Sequence, residues 1–225
     1  MIEIVTSRNA LLYQDAIHDM HRLRHRELVE RRGLERLRRD DGLQIDRFDG
    51  ADAVYLLLTD DGGYVRGTAR LLPTTGRHAL AEIAPEACSV KGVLRGCDTL
   101  ELTRACVDEA LATPECETAR NHLAVGLFEF CVRAGWRRLT MMLPTDTLFH
   151  HLVIGLDIQP LGLPVERDGI RQIAVVAIAD QTALNALRLA FGVFAPLVQY
   201  IGAPAGDPLS LAPALFPDLS CEAAE

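Results

Sequence analysis

The stretch AVYLLLTDDGGYVRGTARLLP, residues 53–73, decides the fold. Two apolar runs flank the turn Asp60-Asp61-Gly62-Gly63, the pattern of a β-hairpin. The sheet therefore has an antiparallel heart. One residue breaks the pattern: Arg70 stands among Ala69, Leu71 and Leu72. A charge in an apolar run is costly to bury unless something pairs with it.

Outward from the hairpin, the other elements follow from period and punctuation. IEIV (2–5) reads as a short strand. Residues from about Asn9 to Arg31 read as an amphipathic helix, with Leu11, Leu12, Ile17, Met20 and Leu23 near helical spacing. Residues 31–52 are polar and Gly-punctuated, a long loop of the kind that carries function. TLELTRACVD (99–108), RRLTMML (137–143) and RQIAVVAIAD (171–180) read as strands. CETARNHLAVGLFEFCVRAGW (116–136) reads as a helix capped by Gly135. Pro144 reads as opening a helix through Val153, and QTALNALRLAF (181–191) as a last one. The expected fold is α/β: a mixed sheet flanked by helices on both faces, in one domain over 1–200. Residues 201–225 form a Pro-rich extension.

Composition narrows the function. Hydrophobic content of 49% with 24% charged residues describes a globular chain. A net charge of −8 argues against nonspecific nucleic-acid or acidic-membrane binding. No apolar stretch reaches the length of a membrane span, so no membrane insertion is expected. The opening residues lack a secretory pattern, and six cysteines show neither C-x-x-C nor zinc spacing. That implies the reducing cytoplasm with free thiols, and no metal. His150 and His151 are adjacent and cannot share a helix face, so they make no metal pair. Cys106 has no histidine placed to activate it and reads as core. The charge is uneven: eight arginines fall between Arg22 and Arg39. They form either a solvated face or a patch for an acidic partner or for phosphates.

A set of charges sits where the local pattern does not want them: Arg24, Asp46, Asp49, Arg70, Glu101 and Arg104. Three arginines and three carboxyls match in number, as a structural ion-pair network or a site would require. One geometric condition applies. Residues i and i+3 of a regular strand face opposite sides, so Glu101 and Arg104 share a pocket only if a bulge intervenes.

IDRFDGADAVYLL (45–57), GTARLLPTT (67–75) and ELTRACV (101–107), in that order, resemble the acyl-homoserine lactone synthases, the autoinducer synthases of quorum sensing. LFEFCVRAGW (127–136) and GLDIQPLGLP (155–164) extend the resemblance to about residue 180. It looks closest to members that take acyl groups from coenzyme A. The resemblance implies a GNAT-like, mostly antiparallel sheet. It implies S-adenosylmethionine and an acyl thioester, on coenzyme A or acyl carrier protein, as substrates, with no cofactor. The products would be an N-acyl-homoserine lactone and methylthioadenosine. The amine must lose a proton before it attacks the thioester, and Glu101 is the expected base, with Arg70 and Arg104 beside it. Arg24, Asp46 and Asp49 would hold S-adenosylmethionine, with Leu28 and Leu34 around it. Met141 and Met142 lie where the acyl pocket is expected.

The chain departs from the family pattern. Leu28 and Ala84 stand where the family has phenylalanine, and Leu34 where it has tryptophan. Thr103 replaces a serine, and Gln44 a glutamate. These losses make a catalytically dead relative that binds a ligand or a partner the main alternative. A general GNAT N-acyltransferase is the other, but the expected helix at 116–136 lacks that family's glycine-rich turn.

Overall fold

The hairpin forms as β2 (Val54–Thr59) and β3 (Val65–Pro73), antiparallel, with Tyr55 opposite Arg70. The computed structural model describes residues 1–201. Around the hairpin lie β1 (Ile2–Val5), α1 (Gln14–Arg24), α2 (Ala79–Ile83), β4 (Thr99–Val107), α3 (Thr113–Ala134) and β5 (Arg138–Pro144). The chain continues as α4 (Leu148–Ile154), β6 (Ile158–Pro160), β7 (Val165–Arg167), β8 (Ile170–Ile178), α5 (Gln181–Phe191) and β9 (Val198–Gln199). The strand order is β6-β8-β5-β4-β3-β2-β1-β9, with β7 also on β8. Among the described residues only β4–β5 and β1–β9 run parallel. The expected mixed, mostly antiparallel sheet is therefore present.

Alternation along β3 sorts the two faces. Ala69 and Leu71 join the larger core with Val125, Phe128 and Phe130 of α3 and Leu184 and Leu187 of α5. Leu72 faces the other way, toward Met20 and Leu23 of α1, and Val65 joins it because the β2–β3 register shifts between Leu58 and Thr59. Arg70 has the parity of Leu72, so it is buried beneath α1 and the long loop rather than in the larger core. Gly135 ends α3 in the left-handed conformation at φ 79°, as its place in the sequence required.

Two sequence expectations fail at element ends. The helix expected over 9–31 is three pieces: a 3₁₀ turn at Ala10–Leu12, then α1, then a π-helix at His25–Arg31. Leu11 and Leu12 are exposed, so their apolar spacing marks no buried face. Pro144 does not open a helix. It closes β5, opposite Gln172, and α4 starts four residues later. Cys88, Cys106, Cys116 and Cys131 are free and buried. The Pro-rich extension from residue 202 lies outside the described residues. Among the described residues no helix is long and apolar enough to cross a membrane.

The sheet is split. β5 pairs with β8 along its whole length, yet with β4 only from Thr99–Glu101 against Arg138–Thr140. Beyond that point β4 and β5 part. The backbone groups that face the gap lose their ladder partners, an open position a ligand can use.

Candidate active site

Two cavities open at the split. The first, about 370 Å³, is lined from the α1–α2 side by Leu28, Leu34, Ala84, Arg70, Glu101 and Arg104. The second, about 270 Å³, lies on the α3–α5 side and is mostly apolar, with Cys106, Leu127, Phe128, Leu156 and Leu187 in its wall. Both share Arg32, Leu102, Ala105, Met141 and Leu143, so the β4–β5 gap is their common wall.

The charged residues meet beside the first cavity. Arg24, at the end of α1 and fully buried, forks onto both oxygens of Asp49 at 2.8 and 3.0 Å and donates Nε–H to Gln44 Oε1 at 2.7 Å. Arg70 donates to Asp46 at 2.7 and 3.2 Å, lies 2.9 Å from Asp49, and donates Nε–H to Thr103 Oγ1. Arg104 donates Nε–H and a terminal N–H to Asp46 Oδ2 at 3.1 and 2.7 Å. The loop between α1 and β2 supplies both carboxylates. The Asp46 amide donates to Asp49 Oδ2, so the turn 46–49 is folded onto its own side chain. Arg70 lies over the Phe48 ring, 5.7 Å from its centre. The charge in the hairpin is thus paired twice over.

Burial alone would raise the pKa of both aspartates, but the guanidiniums overcome it. Arg70 and Arg104 hold the Asp46 carboxyl far below the ordinary range, and Arg24 and Arg70 hold Asp49 below it. Burial lowers the pKa of Arg104, against the attraction of Asp46.

Glu101 stands apart from this network. The expected balance of three arginines and three carboxyls is three against two. The Glu101 carboxyl instead accepts the Leu80 N–H on both oxygens, at 3.0 and 3.1 Å, at the start of α2. Burial pushes its pKa up to about 7, although Arg70 and Arg104 pull the other way. That value suits a carboxyl that takes a proton near neutral pH.

Glu101 and Arg104 share the cavity because β4 carries the bulge the spacing demanded. Thr68 pairs with Cys106 and Arg70 with Thr103, so β4 has one residue more than β3. Arg104 takes up the extra residue with a left-handed backbone, φ 53°.

Of the other expected site residues, Leu28, Leu34 and Ala84 line the first cavity with aliphatic surface. Met142 lines the first cavity alone, and Met141 lines both. The sequence reading missed α2, which orients Glu101, and the second cavity. Its wall joins β4 to α3 and α5, residues no local pattern groups. It also missed Asp168. That residue has a left-handed backbone, φ 53°, at the β7–β8 turn, and accepts two hydrogen bonds from Arg36 at 2.7 and 2.6 Å across the first cavity. Cys106 is buried, and burial pushes its thiol up to about 12, so it is no nucleophile. No metal-binding group of side chains exists among the described residues.

The family model described as autoinducer synthase matches residues 8–154, a span that holds all six charged residues. The chain belongs to this family. Within it, the isovaleryl-homoserine lactone synthase of Bradyrhizobium diazoefficiens is 34% identical over 165 residues, 73% of each chain. The solved structure of a CoA-dependent acyl-homoserine lactone synthase, BjaI, with SAM and isopentyl-CoA, superposes with a TM-score of 0.84. It is 30% identical and covers 94% of this chain and 98% of its own. An acyl-CoA N-acyltransferase from Pseudomonas aeruginosa, 13% identical with a TM-score of 0.50 over 78% of this chain and 98% of its own, shares the fold alone. The GNAT-like architecture expected from the resemblance is therefore found.

Proposed function

We propose that the protein transfers an acyl group from an acyl-CoA to the amine of S-adenosylmethionine and closes the product to an N-acyl-homoserine lactone. The observation that carries this reading is the meeting of two unlike cavities at the β4–β5 gap. One has fixed charges set among aliphatic side chains, and the other is mostly apolar. The reaction needs one site for a zwitterionic sulfonium and one for an acyl chain, with the reacting atoms between them.

In this reading the first cavity holds S-adenosylmethionine. Asp46, partly exposed and acidic at any working pH, faces its cationic groups. Arg104 serves its carboxylate. Glu101, directly or through water, takes a proton from the ammonium. The free amine attacks the thioester carbonyl, and a C–N bond forms. Backbone N–H groups at the open edges of β4 and β5 are the donors available to the oxyanion. The C–S bond then breaks and the thiol leaves. Next the substrate carboxylate attacks its own γ-carbon, the carbon–sulfonium bond breaks, and methylthioadenosine leaves. Arg104, pinned to Asp46, holds that carboxylate folded toward the chain. The acyl group occupies the second cavity, with Met141 at the threshold. The likeness to relatives described as CoA-dependent and as an isovaleryl-homoserine lactone synthase supports a short acyl-CoA as donor. No bound cofactor is needed, because S-adenosylmethionine is consumed.

The test is methylthioadenosine release by the purified protein with S-adenosylmethionine and a panel of acyl thioesters on coenzyme A and on carrier protein. Release that depends on a short-chain acyl-CoA is the expected result. A folded protein silent with every thioester would overturn the synthase reading and favour a binding protein.

A further inference from the structure

Glu101 is oriented by a return of the chain. Leu72, near the end of β3, lies opposite Glu101 in the β3–β4 ladder. The chain then turns, with the Gly76 N–H on the Pro73 carbonyl, and by Leu80 it is back on the Glu101 carboxyl. The helix that makes this contact, α2, has five residues, too few to hold its place by its own hydrogen bonds. Its attachments must set it. At its far end Arg167 donates to the Ile83 carbonyl. At its start stands His78, wholly buried and extended.

The His78 ring folds back into the turn. Its Nδ1 lies 3.2 Å from the Gly76 carbonyl oxygen. A carbonyl only accepts, so Nδ1 carries the proton. Burial lowers the pKa of the ring, and Arg95 adds to this against the pull of the Gly76 bond. The ring is therefore neutral, and Nε2 bears a lone pair. Nε2 is buried without a hydrogen-bond partner. An orphaned acceptor disfavours histidine as a mere space-filler, so the bond from Nδ1 is what the ring contributes. Arg95 donates to the same carbonyl and to that of Thr74, both at 3.1 Å, and the Thr74 hydroxyl donates to the Thr99 carbonyl of β4 at 3.0 Å. The turn is thus tied to β4, and His78 ties α2 to the turn.

We propose that His78 is a positioning residue: its Nδ1–H, on the Gly76 carbonyl, fixes the path of the chain that sets the first amides of α2 on Glu101. The proposal rests on the acyltransferase reading for the role of Glu101 as base. The Leu80 and Ala79 amides favour the ionised carboxyl against the burial that disfavours it. Arg70 and Arg104 pull the same way, and the Cys88 thiol is close enough to feel the carboxylate. Arg32, Arg36, Arg167 and Asp168 line the same cavity. None of these bonds to the His78 ring, so a change at Glu101 when the ring is replaced reports the amides.

The test compares two amides at this position. The nitrogen of asparagine reaches where Nδ1 stands and that of glutamine where Nε2 stands, so only His78→Asn restores the bond to Gly76. His78→Leu fills the space with no donor. The pKa of Glu101 is read twice: from its carboxyl chemical shift in NMR, assigned with Glu101→Gln, and from the acid limb of kcat/KM for methylthioadenosine release. His78→Gln and His78→Leu are expected to raise both by about one pH unit, as weakening one charge-assisted hydrogen bond does. The rate at pH 7 then falls about fivefold, and at pH 9 it barely changes. His78→Asn stays with the wild type. A rate lowered by the same factor at every pH, with the carboxyl pKa unmoved, would make His78 structural only and overturn the proposal. So would a shift in His78→Asn as large as that in His78→Gln. A carboxyl pKa that rises in His78→Gln, in a protein whose wild type releases no methylthioadenosine, would sink the synthase reading and leave the positioning role standing.

Discussion

Arg104 follows Glu101 by three residues, and both line one cavity because Arg104 holds a left-handed backbone at φ 53°. A non-glycine residue pays about 1 kcal/mol or more for that conformation. The cost is met by two hydrogen bonds to Asp46. The bulge also resets the strand: Cys106, not Ala105, returns to the face that holds Leu72.

This separates backbone from side chain in a test. Arg104→Gly relieves the strain and loses the pair, whereas Arg104→Ala loses the pair and keeps the strain. Urea denaturation is expected to rank Arg104→Gly above Arg104→Ala by about 1 kcal/mol. Both variants are expected to release methylthioadenosine at least roughly a hundredfold more slowly, on the scale of removing a charged contact to the reacting molecule. The reverse stability order would mean that something other than residue 104 fixes the bulge.

Glu101 makes a prediction in pH. As the proposed base it must be ionised, so the rate is expected to fall as pH drops below about 7. Its effect on stability has the opposite sense. The unfolded carboxyl keeps its proton only to about pH 4.5, and the folded one to about 7. Between these values the folded state holds more protons, so stability falls as pH rises. Above pH 7 the whole cost is present, about 3 kcal/mol for a shift of this size. Glu101→Gln keeps an acceptor for the Leu80 N–H. It is expected to abolish turnover and to be more stable than wild type above pH 7. Thermal melts at pH 5 and pH 8 check this. Unchanged turnover in the variant would remove Glu101 from the chemistry.

Asp46 and Asp49 look equivalent in the sequence and are not so in the fold. The Asp49 side chain is buried and receives Arg24, Arg70 and the Tyr55 hydroxyl. Asp46 is partly exposed beside the cavity. Asp49→Asn strips Arg24 of its carboxylate and is expected to cost about 3–5 kcal/mol. Asp46→Asn is expected to cost about 1–3 kcal/mol but to weaken S-adenosylmethionine binding strongly. Both carboxyls have depressed pKa values when folded. Their stabilisation is fully present above the ordinary aspartate value of 3.8 and is lost as pH falls below it toward the depressed folded values. Lowering the pH below about 4 should therefore reduce urea midpoints steeply in the wild type and less in Asp49→Asn. Equal stability losses would contradict the division of roles.

Much of the site was legible because it is written in order: D-x-x-D, R-L-L-P-T-T and E-x-x-R name the network residues before any fold is known. The need for a bulge followed from strand parity alone. Its place at Arg104 did not, since an arginine carries no signal for positive φ. The π-helix after Arg24 was hidden because helical spacing cannot distinguish it from an α-helix over seven residues. The second cavity was hidden for another reason. It exists because the β4–β5 ladder stops at Glu101, and a missing strand pair leaves no mark in either strand's sequence.

The leucines at 28 and 34 give the last prediction. Both line the first cavity, but Leu28 is 4% exposed while Leu34 is half-buried at the edge of the loop. Of the two, Leu34 has the more open surroundings. Leu34→Trp is expected to tighten S-adenosylmethionine several-fold, because an indole face attracts a sulfonium. Leu28→Phe enlarges a side chain that is almost wholly buried against the α1 cluster and is expected to cost about 1–3 kcal/mol of stability with no gain in affinity. Calorimetric titration of S-adenosylmethionine into both variants, with a urea curve for each, makes the comparison. Tighter binding by Leu28→Phe and none by Leu34→Trp would mean that the substrate lies deeper under α1 than the cavity does.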